Sequence, residues 1–559
     1  MSNAKWKSDK GKLFLVLLLF ICLSILTIYY THIVNKEIII GDDISFHKNR
    51  IEGLYDAISN GVWFPRLNML MMNSMGYASS IFYSDFFLYI PALFRLIGFS
   101  VSEAYIIFMI IINFLTFIIS FFSFHSVNKK LVSSFLFSIL FTTAPYRLLD
   151  LTTRAALGEL LALTFLPLAF AGLYHIIYGN SSKWWLLTLG MTFIIYSHIL
   201  SAVMFALLIA IFLILNIKLL IRKKDKVLAL VYAVLTTVTL TLIYFIPVLE
   251  QIISQEFKVG STPIFYMSEK AIDFGNMVVN SLSNKVTPNL GILLIIFLFI
   301  YGAFNNKLRE KKIKDIYFVA VLMLIMTTTL FPWKLFDSTF LNTIQFPWRF
   351  LGFVTLLVCW IVAEDSFDWL NNNKRKMFTI CFLSLGLLIS YTVNIRTHAL
   401  SEEIKSYEEF NHLDFAYLGA GKEYLPQSSN YDVLKKQLIK PIYDSNKLNI
   451  SDYVKKRDHI SFVVNSKNQQ KITLPLIYYK GYTSEIVGEG DVSEPFLDEK
   501  ENGQLSILVN GTGKVTIQYR ETHLQQTSLI ISILGWILFI CYLTYNYLKQ
   551  KTNAKKEKE

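Results

Sequence analysis

The sequence predicts an all-α polytopic membrane protein of about twelve transmembrane helices, carrying a small extracytoplasmic β-rich domain. Three observations predict this. Of 559 residues, 53% are hydrophobic and only 17% are charged, where a soluble domain carries about 25% charged residues. The apolar residues gather in runs of membrane-spanning length, for which roughly 20 residues are needed. Lysines and arginines gather in short segments between those runs.

These basic segments are Lys5, Lys7, Lys10 and Lys12; Arg222 to Lys226; Lys307 to Lys314; Lys374 to Lys376; and the tail from Lys549. Their placement follows the positive-inside rule and marks cytoplasmic loops. The formal net charge of +12 therefore does not describe a nucleic-acid surface. The polar segment 396–523 holds sixteen basic and eighteen acidic residues, so it offers no basic footprint and no nucleic-acid partner is expected. The expected partner is a lipid bilayer, and the expected location is the cell membrane.

Apolar runs near 13–33, 104–127, 131–149, 160–178, 183–199, 201–220, 227–249, 289–304, 315–332, 347–364, 377–394 and 525–547 are each candidate spans. With every basic segment on one side, both termini are cytoplasmic and the number of crossings is even. The first run resembles a signal peptide, but it is long and no small-residue cleavage site follows, so it reads as a retained helix. Phe86 to Phe99 is short and contains Pro91 and Arg95. It reads as an interfacial or re-entrant helix in a long first outer loop, 34–103; a short true span is the alternative.

Further outer loops fall at 250–288 and 333–346, within a transmembrane module 1–395. Segment 396–523 follows as a domain on the same side, and 524–559 supplies the last helix and a basic tail. Within 396–523, Lys471–Tyr478, Gln504–Val509 and Lys514–Tyr519 show the alternation of antiparallel strands flanked by Gly and Asn. The four cysteines, Cys22, Cys359, Cys381 and Cys541, all lie in apolar runs. The polar domain thus has no disulfide staple, and no zinc-ligand spacing exists.

Three groups of residues at the outer helix ends are candidates for chemistry. The first is Gly41-Asp42-Asp43-Ile44-Ser45-Phe46-His47-Lys48-Asn49-Arg50. Asp42 or Asp43 suits a general base, which must reach the proton it abstracts, or the ligand of a divalent cation. His47, Lys48 and Arg50 offer positive charge for a leaving phosphate. The bland reading is a turn in which Asp43 caps a helix starting at Ile44.

The second group is Pro145-Tyr146-Arg147-Leu148-Leu149-Asp150, with Arg154, Gly158 and Glu159. Arg147, Asp150 and Arg154 are spaced to share one helix face, with an i,i+4 ion pair from Asp150 to Arg154. Arginine suits bidentate phosphate recognition; a structural salt-bridge set is the equal alternative. The third group runs from Asn342 to Phe350 and includes Gln345, Trp348 and Arg349. It reads as a sugar- or phosphate-binding pair, or as an interfacial aromatic belt with a snorkelling arginine. His198, beside Ser197 and Ser201, is a further candidate, though a lone His there is more often a helix-contact hydrogen-bonder.

The span centres are almost free of Asp, Glu, Lys and Arg. A coupled transporter usually places ionisable residues near the midplane, so a lipid or glycan transporter is the weaker reading. A non-catalytic envelope-assembly factor is a third.

An acidic motif in the first outer loop, a broken helix in that loop, about a dozen spans and a C-terminal outer domain together resemble the GT-C superfamily of polyprenyl-dependent glycosyltransferases. The stretches GDDISFHKNRI, PYRLLDLTTRAALGE, FPWRF and LPLIYYKGY resemble more closely the bacterial membrane family named as 6-pyruvoyl-tetrahydropterin synthase related. The soluble pterin enzyme needs a zinc-binding histidine cluster that is absent here. The larger YfhO-type proteins are similar, with a tyrosine–glycine strand like Tyr479 to Tyr482. The resemblance implies a polyprenyl-phosphate-linked sugar as donor, an envelope glycan or protein as acceptor, and inversion at the anomeric carbon. It also implies an acidic first-loop residue as base or metal ligand, a position that Asp42 and Asp43 match.

Overall fold

The computed structural model describes residues 2–261, 263, 265–304, 310–364, 373–399, 403–437 and 439–556. Of the basic segments, Lys307, Leu308 and Arg309 lie outside the described residues. The protein is predominantly helical with a small β-sheet domain. Each of the twelve apolar runs is occupied by a helix. These are α1 (Ser2–Ile28), α4 (Val101–Asn128), α5 (Leu131–Thr142), α7 (Leu157–Tyr178), α8 (Trp185–Ser197), α9 (Ile199–Leu215) and α10 (Lys224–Ser254), then α11 (Ile292–Phe304), α12 (Lys311–Met326), α13 (Leu351–Glu364), α14 (Asn373–His398) and α15 (His523–Lys556).

Between α1 and α4 lie α2 (Ile44–Ser59) and α3 (Tyr89–Leu96); α6 (Pro145–Leu151) follows α5. Among the described residues six helices are long and apolar enough to cross a membrane, and α5 with α6, bent by 52°, forms a seventh candidate. Phe86–Leu96, Ile199–Leu215 and Ile292–Ala303 are shorter apolar helices. The segment around Phe86 is thus a short helix, as its length and proline predict.

The chain divides into two compact units, both discontinuous in sequence. The first comprises Met1–Lys48, Leu93–Val234 and Pro263–Leu413, and the second Asn49–Ala92, Leu235–Thr262 and Asp414–Glu559. In the first unit, Phe20 of α1 stacks on Phe117 (5.0 Å) and Phe135 (5.7 Å). Helices α7 and α8 meet through small residues, as membrane helices do. A Cβ on Gly172 would lie 2.1 Å from the backbone nitrogen of Leu187, and one on Gly190 would lie 2.4 Å from that of Ala169.

The far end of α7 is polar. Tyr178 donates to Asp315 (2.6 Å) and Tyr174 to Glu364 (3.1 Å), while Lys312 pairs with Glu364 (2.7 Å). These contacts bring the C-terminal ends of α7 and α13 to the N-terminal end of α12. Also in this unit, β1 (Glu37–Ile39) pairs antiparallel with β2 (Ile404–Ser406), with Glu37 opposite Ser406.

The second unit holds a five-stranded antiparallel sheet: β3 (Leu448–Lys455), β4 (His459–Ile477), β5 (Tyr482–Val492), β6 (Phe496–Asp498) and β7 (Gln504–Tyr519). The expectation of separate strands at Gln504–Val509 and Lys514–Tyr519 is corrected: β7 runs unbroken through Asn510-Gly511-Thr512-Gly513. The apparent turn is a stretch of close backbone approach, where Gly488 faces Gly513 and Gly490 faces Gly511. A Cβ on Gly488 would lie 2.6 Å from the Gly513 Cα. Glycine inside a strand commonly marks such an approach.

The α7–α8 contact is directly testable. Gly190→Leu overpacks it, which typically costs about 1–3 kcal/mol, so its melting temperature in detergent should fall below wild type. Gly386→Ala, at a site with no atom within 4 Å of the added methyl, should melt as wild type.

Candidate functional site

The candidate centre belongs to the first unit and is built from backbone outward. After β1 the chain turns at Gly41, whose position admits no side chain: a Cβ would lie 2.4 Å from the Thr152 carbonyl oxygen and 2.7 Å from the Ala155 Cβ. This close approach lets Asp42 N–H donate to the Thr153 carbonyl (3.1 Å) and Asp43 N–H to the Arg154 carbonyl (3.0 Å). The first and second sequence groups are therefore joined main chain to main chain. Helix α2 starts at Ile44, and the Asp43 carbonyl accepts its first bond from His47 N–H (3.1 Å).

Behind this junction sits a buried ion cluster around Glu159, in the first turn of α7. Glu159 Oε1 accepts from the Tyr146 hydroxyl (2.5 Å), and Oε2 meets Arg154 Nη1 (3.0 Å) and Arg349 Nε (3.4 Å). Arg154 also pairs with Asp150, while its guanidinium lies 4.4 Å from the Trp348 ring centre. Arg349 donates to the Ile344 carbonyl (2.8 Å) and lies over Phe346 at 5.0 Å. Glu159 and Asp150 are essentially fully buried. Ala155 and Gln345, which flank the two arginines in sequence, have positive φ (46° and 65°). Such strain is tolerated where surroundings over-determine the backbone.

Asp42 and Asp43 stand at the open rim of this cluster. Both are exposed, and neither carboxylate accepts a hydrogen bond from a described residue. Protein on the inner side still removes part of their hydration. That burial pushes Asp43 up to about 6 against the pull of Arg154 and Arg349, with Asp42 and Glu159 adding repulsion. Asp42 is raised by the same cause, opposed by Arg154.

The remaining sequence candidates divide. His198 lies between α8 and α9, 2.8 Å from the Ser201 hydroxyl, and feels the charges of Arg349, Glu159 and Arg154, so it borders the cluster. Gln345 precedes the arginine segment and turns it by its positive φ. The expectation that Arg147 and Arg154 share a helix face is corrected, because α6 ends at Leu151 and Arg154 lies beyond it. Arg147 instead donates to Asn113 (2.8 Å), Thr116 (2.8 Å) and the Thr142 carbonyl (3.2 Å), tying α6 to α4.

The basic residues after Asp43 also depart from expectation. Lys48 donates to the Phe410 and His412 carbonyls (2.7 and 2.8 Å). Arg50, in the second unit, is engaged by Asp85 (2.8 Å) and the Tyr83 and Ser84 carbonyls. Helix periodicity carries each past the rim where the two carboxylates stand. His47 is buried within α2. The Asp150–Arg154 ion pair expected from the i,i+4 spacing is present; Tyr146, named only as part of the PYRLLD motif, gains a role as the hydroxyl donor to Glu159. Among the described residues no group of three or more His, Cys, Asp or Glu is arranged to hold a metal ion.

No family model matches the chain. The chain is similar to an uncharacterized protein of Lactococcus lactis subsp. cremoris (strain MG1363), 24% identical over 586 residues, covering 92% of this chain and 93% of that protein.

The buried hub and the open rim should respond differently to substitution. Glu159→Ala strands two buried guanidiniums, and breaking a buried pair this way costs about 3–5 kcal/mol; a large drop in melting temperature should follow. Asp43→Asn should melt near wild type with a distinct pH signature. The Asp43 pKa is raised on folding, so its contribution to stability is complete below about pH 4 and is lost as pH rises through about 6. Melting curves taken across that window should show Asp43→Asn gaining on wild type with rising pH.

Proposed function

We propose that the protein is an integral membrane glycosyltransferase of the GT-C type, moving a sugar from a polyprenyl-phosphate donor to a cell-envelope acceptor on the extracytoplasmic face of the cell membrane. The observation that carries this reading is the Asp42–Asp43 pair. Both side chains are held by main chain at the rim of an arginine–carboxylate cluster, without protein hydrogen bonds of their own, and Asp43 titrates near neutral pH at about 6. A general base works best with a pKa near the working pH.

In this mechanism Asp43 takes the proton of the acceptor hydroxyl as its oxygen attacks the anomeric carbon. The new C–O bond forms as the bond to the donor phosphate breaks, and the electron pair leaves with the phosphate. Arg154 and Arg349 lend positive field from behind the rim, and Trp348 offers an aromatic face beside them. Both arginines are already engaged by Asp150 and Glu159, so an arriving phosphate meets surplus negative charge. With Asp43 acting as the base, Asp42 is the carboxylate that would hold a divalent cation, which would supply positive charge to offset that surplus.

The twelve-span topology rests on the six long helices, with the bent α5–α6 pair, α8, α9, α11, α12 and α14 in the remaining runs. Its sidedness is supported by where lysines gather. Lys183 reaches the Ser126 carbonyl (3.2 Å), Lys226 the Ile176 carbonyl (2.7 Å) and Lys312 the Glu364 carboxylate. All sit at the C-terminal end of α7, opposite the Glu159 end. Cytoplasmic termini and an outer rim follow from the positive-inside rule.

Two measurements test the proposal. Asp43→Asn should lower transfer of radiolabelled sugar from a polyprenyl-phosphate donor by about 10²–10⁴-fold. The wild-type rate should rise with pH through about 6, because the base must be deprotonated, and the variant should lose that limb. Activity within a few-fold of wild type in Asp42→Asn, Asp43→Asn and the double variant would leave a transporter or assembly factor as the reading. Separately, in a background without native cysteines, an impermeant maleimide on intact cells should label Ser59→Cys and Asn468→Cys, and should spare Lys224→Cys. Labelling of Lys224→Cys would overturn the sidedness.

A further inference from the structure

The second unit contains a cavity of about 220 Å³ between the end of α2, the chain at 60–69 and the sheet. That is below the roughly 300–1,000 Å³ typical of drug-sized ligands, so it suits one small ring. Its walls carry two ion pairs, Arg66 with Glu521 (2.6 Å) and Arg457 with Asp56 (3.0 Å), and a contact of His459 Nδ1 with Asp458 (2.9 Å). Lys456 also lines it, so Arg66, Lys456 and Arg457 stand against Asp56, Asp458 and Glu521. The wall is electroneutral, yet dense in fixed donors and acceptors.

Aromatic faces complete it. Phe64 lines the cavity with 66% of its surface exposed. Tyr482 and Tyr519 meet edge to face at 5.5 Å on the sheet side. Tyr482 is only 8% exposed, and its buried hydroxyl has no hydrogen-bond partner among the described residues. Behind Gly53, which lines the cavity and leaves the room, Asn68 accepts from Leu70 and Met71 N–H and donates to the Asn49 carbonyl (3.1 Å).

We propose that this cavity binds an uncharged saccharide ring. A phosphate, carboxylate or ammonium ligand would unbalance pairs that are already neutralised. A purely apolar ligand would leave their forked donors and acceptors unmatched. A neutral ring satisfies both demands, because its hydroxyls donate and accept in turn along the paired walls while its C–H face lies on Phe64. The assignment is independent of the Asp42–Asp43 centre.

The test uses full-length protein in detergent and saturation-transfer NMR with the methyl glycosides of glucose, galactose and N-acetylglucosamine. Glucuronate and glucosamine serve as charged probes. At least one neutral glycoside should give a signal, the charged probes should be weaker, and Asp43→Asn should bind as wild type. Arg457→Ala should weaken binding by roughly tenfold, as loss of a charge-assisted bond does, and Phe64→Ala should weaken it by about as much through loss of the aromatic face. Asn60→Ala, on the exposed lip, should fold normally and weaken it less. Absence of any neutral glycoside signal, or an undiminished signal in both Phe64→Ala and Arg457→Ala, would overturn the assignment. So would quenching of a fluorophore at position 64 by spin-labelled phospholipid in proteoliposomes without glycoside binding, since the lip would then be a bilayer contact.

Discussion

The candidate centre depends on one buried carboxylate. Glu159 receives a tyrosine and two arginines from three separate segments, 145–151, 152–156 and 346–350. Its place in the first turn of α7 also lies where a helix favours negative charge. Without it, Arg154 and Arg349 would be buried cations held partly by Asp150 and a lone carbonyl. With it, each arginine is turned so that an aromatic ring, Trp348 or Phe346, covers one face. The rim carboxylates then inherit a fixed field. Asp42 and Asp43 are aimed by their own backbone amides, and the arginines behind them temper a pKa that desolvation alone would raise further.

Much of the helical architecture was legible because lipid imposes a simple rule on composition. Apolar runs become helices, and all twelve such runs are occupied by helix, six of them long and apolar enough to cross a membrane among the described residues. The convergence of the GDDIS, RAALGE and FPWRF segments was also legible, since each closes or opens an apolar run. The division of labour inside the second group was not. Spacing of three, four and seven treats Arg147, Asp150 and Arg154 as one helix face, but the helix stops at Leu151 with no proline or glycine to announce it. Ala155 then takes a positive φ that no sequence signal marks. Arg147 thereby becomes a packing residue, and Arg154 alone faces the rim.

The sheet shows the converse error. Asn510-Gly511-Thr512-Gly513 has the composition of a turn, and local reading cannot know that Gly488 and Gly490 stand opposite. Cross-strand demand for close approach, rather than a change of direction, accounts for those glycines. The two compact units were equally hidden, because each is assembled from pieces far apart in the chain. A composition shift near residue 396 is real, but contacts follow space rather than composition.

The pairing of β1 with β2 carries a consequence for biogenesis. Glu37 meets Ser406, and Lys48 finds its carbonyls only at Phe410 and His412. At synthesis rates of about 5–20 residues per second, the segment bearing Asp42 and Asp43 waits roughly 20 to 70 s on the ribosome's clock before its partner strand exists. Throughout that interval α1 is already available for insertion, while the edge of β1 and the Lys48 ammonium lack their final partners. The first loop is therefore among the earliest parts made and among the last to be finished, and its maturation is timed by elongation through the later helices.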